Sequence, residues 1–150
     1  MYGGLNNIMK IGIANDHAGC ELKRQIVKYL KNELNISAVN NFGTDTDKSV
    51  DYPDYAKKLV VAIEFKNIDY GILICGSGIG MSICANRNKH VRAALCHNSE
   101  LAKLSREHND ANVLVLGARY ISIEEAKVIV KTFLTSEFQA GRHLKRVEKL

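Results

Sequence analysis

A cysteine and three glycines stand together where an apolar run ends, in the stretch ILICGSGIGMSICANR (72–87). Gly76, Gly78 and Gly80 allow a sharp turn and leave backbone N–H groups open to a ligand. A helix that begins after them would direct its positive end at an anion or a developing oxyanion. That field also favours the thiolate, the form in which a cysteine acts as a base or a nucleophile. We therefore interpret Cys75 as a functional thiol and the other cysteines as structural residues (Cys20, Cys84, Cys96).

Other functions of glycine-rich loops do not fit this stretch. A dinucleotide-binding fingerprint is G-x-G-x-x-G after the first strand, but here G-x-G-x-G follows the third predicted strand. The G-K-[ST] of a nucleoside-triphosphate loop is missing from it. A cysteine phosphatase needs an arginine six residues after the thiol, and Met81 occupies that position. The sequence therefore excludes the simplest cysteine phosphatase and disfavours both nucleotide sites.

Further polar residues lie at the ends of predicted strands and helices. Asp16 and His17 follow the first strand in NDHAG, where they could do acid–base chemistry, or cap a helix and lie in solvent. His108 and Asn109 end a helix just before the fifth strand, where a histidine could also merely stabilise the helix terminus. Tyr52, in VDYPDYA, belongs either to a surface loop or to a lid.

Three arginines could bind a small anion. Arg119 leaves the fifth predicted strand, and Arg142 and Arg146 lie one helical turn apart in the tail GRHLKRVEKL. Guanidinium groups suit phosphate recognition, so we predict a phosphate clamp. The net charge of +5 peaks in this tail, but no aromatic or groove-reading motif accompanies it, which disfavours a nucleic-acid partner.

The composition is typical of a soluble globular protein, with 46% hydrophobic and 25% charged residues among 150. The sequence shows neither a membrane-spanning apolar run nor a signal-peptide pattern. No two of the four cysteines form a C-x-x-C pair, which favours a reduced, cytoplasmic protein without a zinc site. We expect residues 1–8 to be a disordered extension and residues 9–150 to form a single domain.

Short apolar runs alternate with helical periodicity along the chain. We predict strands over 10–16, 36–43, 69–75, 91–96 and 112–117, with helices between and after them. This pattern predicts an α/β domain with a five-stranded parallel sheet between two helix layers, doubly wound and Rossmann-like or flavodoxin-like. In the common strand order 2-1-3-4-5, a ligand binds between the first and third strands. Asp16, His17 and the loop after Cys75 follow those two strands.

Taken together, the motifs resemble those of the ribose-5-phosphate isomerase type B family, which includes the subunits of galactose-6-phosphate isomerase. The resemblance runs from Lys10 to about Glu148 through DHAG, DYP, ICGSGIG, CAN, SREHNDANVLVLGAR and GRHLKRV, in family order. It implies interconversion of D-ribose 5-phosphate and D-ribulose 5-phosphate in the non-oxidative pentose phosphate pathway, without metal or organic cofactor. Another branch of the family places a glutamate just after the glycine loop. Met81 stands there, so the chain resembles the branch with a cysteine base.

The resemblance also implies a role for each candidate residue. Cys75 would be the base, with Ser77 assisting proton movement and the loop amides forming an oxyanion site (Gly76, Gly78, Ile79, Gly80). His108 would open the sugar ring, with Asp16 as a candidate partner. The remaining residues would bind substrate: Asn109 the sugar hydroxyls, Tyr52 the border of the site, and a basic set the phosphate (His17, Arg119, Arg142, Arg146). In the family two subunits share the site, which implies a homodimer or a tetramer.

Two alternatives stay open. The substrate could be a six-carbon sugar phosphate, such as allose or galactose 6-phosphate, because the sequence does not fix the bulk of the site around Asp51 and Asn109. The chain could also be a non-catalytic sugar-phosphate sensor, although a sensor would need the arginines and not a thiol on a glycine loop.

Overall fold

Five parallel strands form the sheet that positions the candidate residues: β1 Ile11–Asn15, β2 Val39–Asn41, β3 Tyr70–Cys75, β4 Ala93–Leu95 and β5 Val113–Gly117. The computed structural model describes residues 8–150, and the expected N-terminal extension, Ile8 apart, lies outside them. β1, β3 and β5 are buried along their whole length except for Tyr70, as expected of central strands in a parallel sheet. The predicted strands are therefore present, and each is shorter than predicted by at least one residue.

The described residues form six α-helices: α1 Cys20–Asn32, α2 Tyr52–Glu64, α3 Ile79–Ala85, α4 Ser99–Asn109, α5 Ile123–Thr135 and α6 Gly141–Val147. Side chains of α1, α4 and α5 pack in one hydrophobic core, and those of α2 and α3 pack in a second core. The sheet contributes to both cores, so it lies between two helix layers. The predicted three-layer α/β fold is confirmed.

The strand order is β2-β1-β3-β5-β4, so the predicted order was wrong for the last two strands. The apolar run VLVLG of β5 is entirely buried and therefore needs a strand on each side. The shorter β4 is half-buried and lies at the edge of the sheet. There Asn86 Nδ2 donates to the Ala93 carbonyl at 2.9 Å, and Ala93 N donates back to Asn86 Oδ1 at 2.8 Å, which closes this edge.

β1 and β3 are neighbours, and the chain leaves β1 toward one helix layer and β3 toward the other. The predicted switch point is therefore present. Successive side chains of β3 alternate between the two cores: Ile72 and Ile74 face α1 and α5, whereas Leu73 and Cys75 face α2 and α3. No helix in residues 8–150 has both the length and the apolar character needed to cross a membrane.

Candidate active site

Cys75 is the last residue of β3, and the loop that follows turns back over its sulfur. Gly78 adopts a left-handed backbone conformation with φ of 79°, which a side chain would strain. This turn directs the Gly78 N–H at Cys75, and the N–Sγ distance is 3.2 Å. Only 5% of Cys75 is exposed, so the thiol is covered and yet has a polar partner. The loop thus delivers a backbone donor to a buried sulfur, as the glycine spacing predicts.

The chain leaving β1 lies beside this loop. Asp16 is buried, and its backbone N–H donates to the Ile74 carbonyl at 3.2 Å, which joins the ends of β1 and β3. Its Oδ1 accepts from Ala18 N at 3.0 Å and caps a short 3-10 turn, so the predicted capping geometry is present. His17 Nδ1 accepts from Val50 N at 3.2 Å and holds the chain just before α2.

Two more predicted residues contact the glycine loop. Tyr52 begins α2, and its ring packs so close to Gly80 that a Cβ built there would lie 2.5 Å from Tyr52 Cζ. Arg119 follows β5, donates its backbone N–H to the Gly76 carbonyl at 3.0 Å, and lays its guanidinium over that glycine. We name the residues gathered at this edge of the sheet the thiol cluster: Asp16, His17, Tyr52, Cys75, Gly76, Ser77, Gly78, Ile79, Gly80 and Arg119.

The remaining predicted residues form a separate group. His108 and Asn109 end α4, and with Arg142 and Arg146 of α6 they line a cavity of about 340 Å³. His143 lines the same cavity, and its ring stacks on that of His108 with 4.2 Å between centroids and 13° between planes. We name these five residues the basic cluster. Burial lowers the pKa of His143, and the nearby His108, Arg142 and Arg146 lower it further.

Within one chain the two clusters lie at opposite ends of the parallel strands, the thiol cluster at their carboxyl ends and the basic cluster at their amino ends. The basic cluster includes the end of α4, which leads into Val113 at the start of β5. The thiol cluster surrounds Cys75, which pairs with Gly117 at the other end of that strand. The four residue steps of β5 span about 13 Å. The predicted partnership of Asp16 with His108 therefore does not form inside one chain, since parallel strands keep their two ends apart.

The four cysteines are all free thiols in different surroundings. Burial raises the pKa of Cys96 to about 11, and its Sγ donates to the Ala94 carbonyl at 3.6 Å. Cys20, at the start of α1, donates to the Thr46 carbonyl at 3.0 Å, which ties α1 to the loop after β2. These contacts agree with structural roles for Cys96 and Cys20.

Two residues near the clusters have no role in the sequence analysis. Asn15 is fully buried at the end of β1, and its Nδ2 donates to the carbonyls of Asp16 at 2.8 Å and Thr44 at 3.1 Å. It therefore fixes the chain that carries Asp16 and His17. His143 could have been found from its position in GRHLKR, between two arginines already selected. Within residues 8–150, no three His, Cys, Asp or Glu side chains are arranged to hold a metal ion.

A family model, solved structures and a curated relative all indicate the same family. The sequence pattern named Ribose/Galactose Isomerase matches residues 11–150. A ribose 5-phosphate isomerase structure from Thermotoga maritima has a TM-score of 0.92 and 51% identity, covering 95% of this chain and 97% of its own. A ribose-5-phosphate isomerase B structure from Clostridium thermocellum has a TM-score of 0.91 and 50% identity, covering 94% of each chain. Ribose-5-phosphate isomerase B of Escherichia coli is 42% identical over 94% of this chain and 93% of its own. The chain therefore belongs to the ribose/galactose isomerase family.

Proposed function

We propose that this protein interconverts D-ribose 5-phosphate and D-ribulose 5-phosphate through an enediolate, with Cys75 as the base. The observation that carries the proposal is the short contact between Gly78 N and Cys75 Sγ, inside a loop that also touches Tyr52 and Arg119. It combines a sulfur able to carry a proton, backbone donors for a developing oxyanion and a guanidinium for phosphate. The three family comparisons support the same reaction for this chain.

The proposed reaction needs one base that moves a proton between neighbouring carbons. The Cys75 thiolate takes the proton from C2 of the open-chain sugar, the C2–H electron pair forms a C1–C2 double bond, and O1 becomes an oxyanion. The loop amides stabilise that charge, and the Ser77 hydroxyl passes the O2 proton to O1. O2 then becomes the ketone oxygen as the Cys75 thiol returns its proton to C1. The thiolate is regenerated, so the cycle consumes no co-reactant.

Ring opening and phosphate binding involve the basic cluster. His108 gives a proton to the ring oxygen as the bond between that oxygen and C1 breaks, and takes one from the O1 hydroxyl. Asn109 binds sugar hydroxyls, and the phosphate is held by His17, Arg119, Arg142 and Arg146. This division agrees with the structure, in which one group of residues surrounds a thiol and the other contains two arginines and two histidines.

The protein acts, in this proposal, as a homodimer in which the thiol cluster of one subunit faces the basic cluster of the other. One sheet cannot bring its two ends together, whereas a two-fold axis can place one end of each subunit against the opposite end of its partner. Such an interface would cover exposed apolar side chains at both clusters: Ile79, a member of the thiol cluster, Ile83 on the same helix α3, and Leu144 on α6. Association of two dimers into a tetramer is compatible with this arrangement.

A pair of cysteine variants tests the reaction and the base together. Cys75→Ala should abolish conversion of ribose 5-phosphate while leaving sugar-phosphate binding largely intact, because the proposed clamp residues are separate from the sulfur. Cys84→Ala is the matched control, since Cys84 lies half-buried on α3 outside the thiol cluster. The assay measures ribulose 5-phosphate formation and, separately, exchange of the C2 proton with solvent. Full activity of Cys75→Ala would refute the assignment of the base, and tight binding without exchange by the wild type would favour the sensor hypothesis.

A further inference from the structure

His143 is a buried histidine with no role in the reaction proposed above. Only 8% of the residue is exposed, although it lies in the first turn of a helix whose other residues are mostly exposed. Its backbone N–H donates to the Ala140 carbonyl at 2.8 Å, which anchors it where the chain enters α6. The burial is therefore specific to this side chain and requires an explanation.

The ring of His143 is directed at one partner, the ring of His108. The 4.2 Å centroid distance and the 13° angle between the planes describe two imidazoles in face-to-face contact. His108 is half-buried at the end of α4, where a histidine without a neighbour could rotate about both side-chain torsions. A flat ring lying parallel to it removes most of that freedom. The stack therefore fixes the plane in which the His108 nitrogens lie.

The charges around the stack disfavour a second positive charge on it. Arg142 and Arg146 line the same cavity, and burial together with His108 and these arginines lowers the pKa of His143. The same groups therefore disfavour a positive charge on the His143 ring. A neutral aromatic face is a suitable neighbour for an imidazolium ring.

The acidic side chains nearest to His108 in sequence, Glu107 on α4 and Asp110 just after it, have other partners. Glu107 Oε1 lies 3.8 Å from Lys103 Nζ, and Asp110 Oδ1 accepts from Arg106 Nη1 at 2.9 Å. No Asp or Glu side chain is among the described residues that line the cavity of the basic cluster. Lys145, on the same helix, does not line this cavity either. The stack therefore has cationic neighbours without a carboxylate side chain between them.

We propose that His143 is a positioning residue for His108: its ring holds the His108 imidazole in the one orientation from which it exchanges protons with the sugar. This inference rests on the proposed function, because it assigns ring opening to His108. It does not make His143 a catalytic residue, since its part is to present an aromatic face and not to transfer a proton. A phenylalanine at position 143 should therefore preserve the function of His143, and an alanine should not.

Kinetics of three variants test the proposal. His143→Ala should lower kcat for ribose 5-phosphate by about tenfold or more, because a misoriented acid–base group loses that much. KM should change little, because both arginines remain. His143→Phe should stay within about threefold of the wild type, because it keeps the stack. Lys145→Ala removes a cation from the same helix outside the cavity and should leave kcat unchanged. Wild-type kcat in His143→Ala would overturn the proposal, and so would an equal loss in a folded His143→Phe protein.

A titration without substrate separates this inference from the proposed function. Proton NMR follows the imidazole C2–H signal of His143 in the wild type and in His108→Phe. Replacing His108 removes one of the groups that lower the pKa of His143, so its titration midpoint should rise. A midpoint that does not move would mean that the two rings are not coupled, and would overturn the proposal. If the wild type had no isomerase activity, the proposed function would fail while this coupling could still be measured.

Discussion

Replacing Gly78 with alanine tests whether the loop after β3 delivers its N–H to Cys75 through a conformation that only glycine tolerates. The φ of Gly78 is 79°, a region that other L-residues avoid. An added Cβ would lie 2.5 Å from Leu95 Cδ1 and 3.2 Å from Gly117 N. The first contact involves the far end of a side chain that can move, whereas the second involves the backbone of β5. The substitution therefore brings both strain and a clash.

The magnitude follows from adding these two effects. The left-handed conformation costs an L-residue roughly 1–2 kcal/mol, and overpacking in a filled interior costs typically 1–3 kcal/mol. Gly78→Ala should therefore lower the free energy of unfolding by about 2–5 kcal/mol. Gly141 provides a matched control, because its φ is 50° and a Cβ there would meet no atom within 4 Å. Gly141→Ala should cost only the conformational part, roughly 1–2 kcal/mol.

Urea unfolding followed by circular dichroism, at one fixed protein concentration, measures both costs. Gly78→Ala should unfold at a lower urea concentration than Gly141→Ala, and the dependence of its unfolding free energy on urea should be unchanged. Its isomerase kcat should also fall by roughly 10²-fold, because the donor beside the sulfur is displaced. If Gly78→Ala cost no more than Gly141→Ala, the clash with Leu95 and β5 would not exist. A stable Gly78→Ala protein with wild-type activity would show that the Gly78 amide is not needed beside Cys75.

Two further predictions concern ionisable groups outside the proposed reaction. Hydrogen bonds from Lys23 and Asn41 hold the pKa of Asp45 below its ordinary value of 3.8. The stability that the Asp45 carboxylate contributes is therefore present above pH 3.8 and is lost as the pH falls through the lowered pKa. The difference in unfolding free energy between the wild type and Asp45→Asn should therefore shrink as the pH falls through that lowered pKa, and a difference that does not shrink on acidification below pH 3.8 would contradict this. Because burial raises the pKa of Cys96 to about 11, iodoacetamide at about pH 8 should label it roughly two orders of magnitude more slowly than an ordinary cysteine. Peptide mass mapping would contradict that prediction if Cys96 were labelled as fast as the half-buried Cys84.

Most of the fold could be predicted because its elements carry local signals. Pro53 lies in the first turn of α2, and Ser122 and Glu125 form the capping box predicted at the start of α5. The order of the last two strands could not be predicted in this way, because VRAALC and NVLVLG are both mainly apolar segments of six residues. The closing of the sheet edge depends on Asn86, whose side chain pairs with a strand seven residues away. A side-chain contact of that kind leaves no periodic trace in the sequence.

The candidate site could be predicted for the residues at the ends of β1, β3 and β5, because topology brings those ends to one edge. Contacts of Tyr52 with Gly80 and of Arg119 with Gly76 agree with that reasoning. Predicting that His108 lies far from Asp16 in one chain requires the directions of the strands. His108 precedes β5 and Asp16 follows β1, so the two residues lie at opposite ends of parallel strands. His143 was not selected, although its position between Arg142 and Arg146 in GRHLKR was a usable signal. Its burial depends on the stack with α4, and no local pattern encodes that contact.

Two buried thiols at the ends of different strands show that the loop after a strand sets the surroundings of a cysteine. Cys75 ends β3 and Cys96 follows β4, and both are almost fully buried. After Cys96 the chain enters α4 through the Asn98 cap, which donates no backbone N–H to the sulfur, and burial keeps that thiol protonated. After Cys75 three glycines allow the chain to reverse, and a main-chain N–H reaches the sulfur. Two almost fully buried cysteines are therefore distinguished by the residues that follow them, which is why the spacing G-x-G-x-G was the informative part of the sequence.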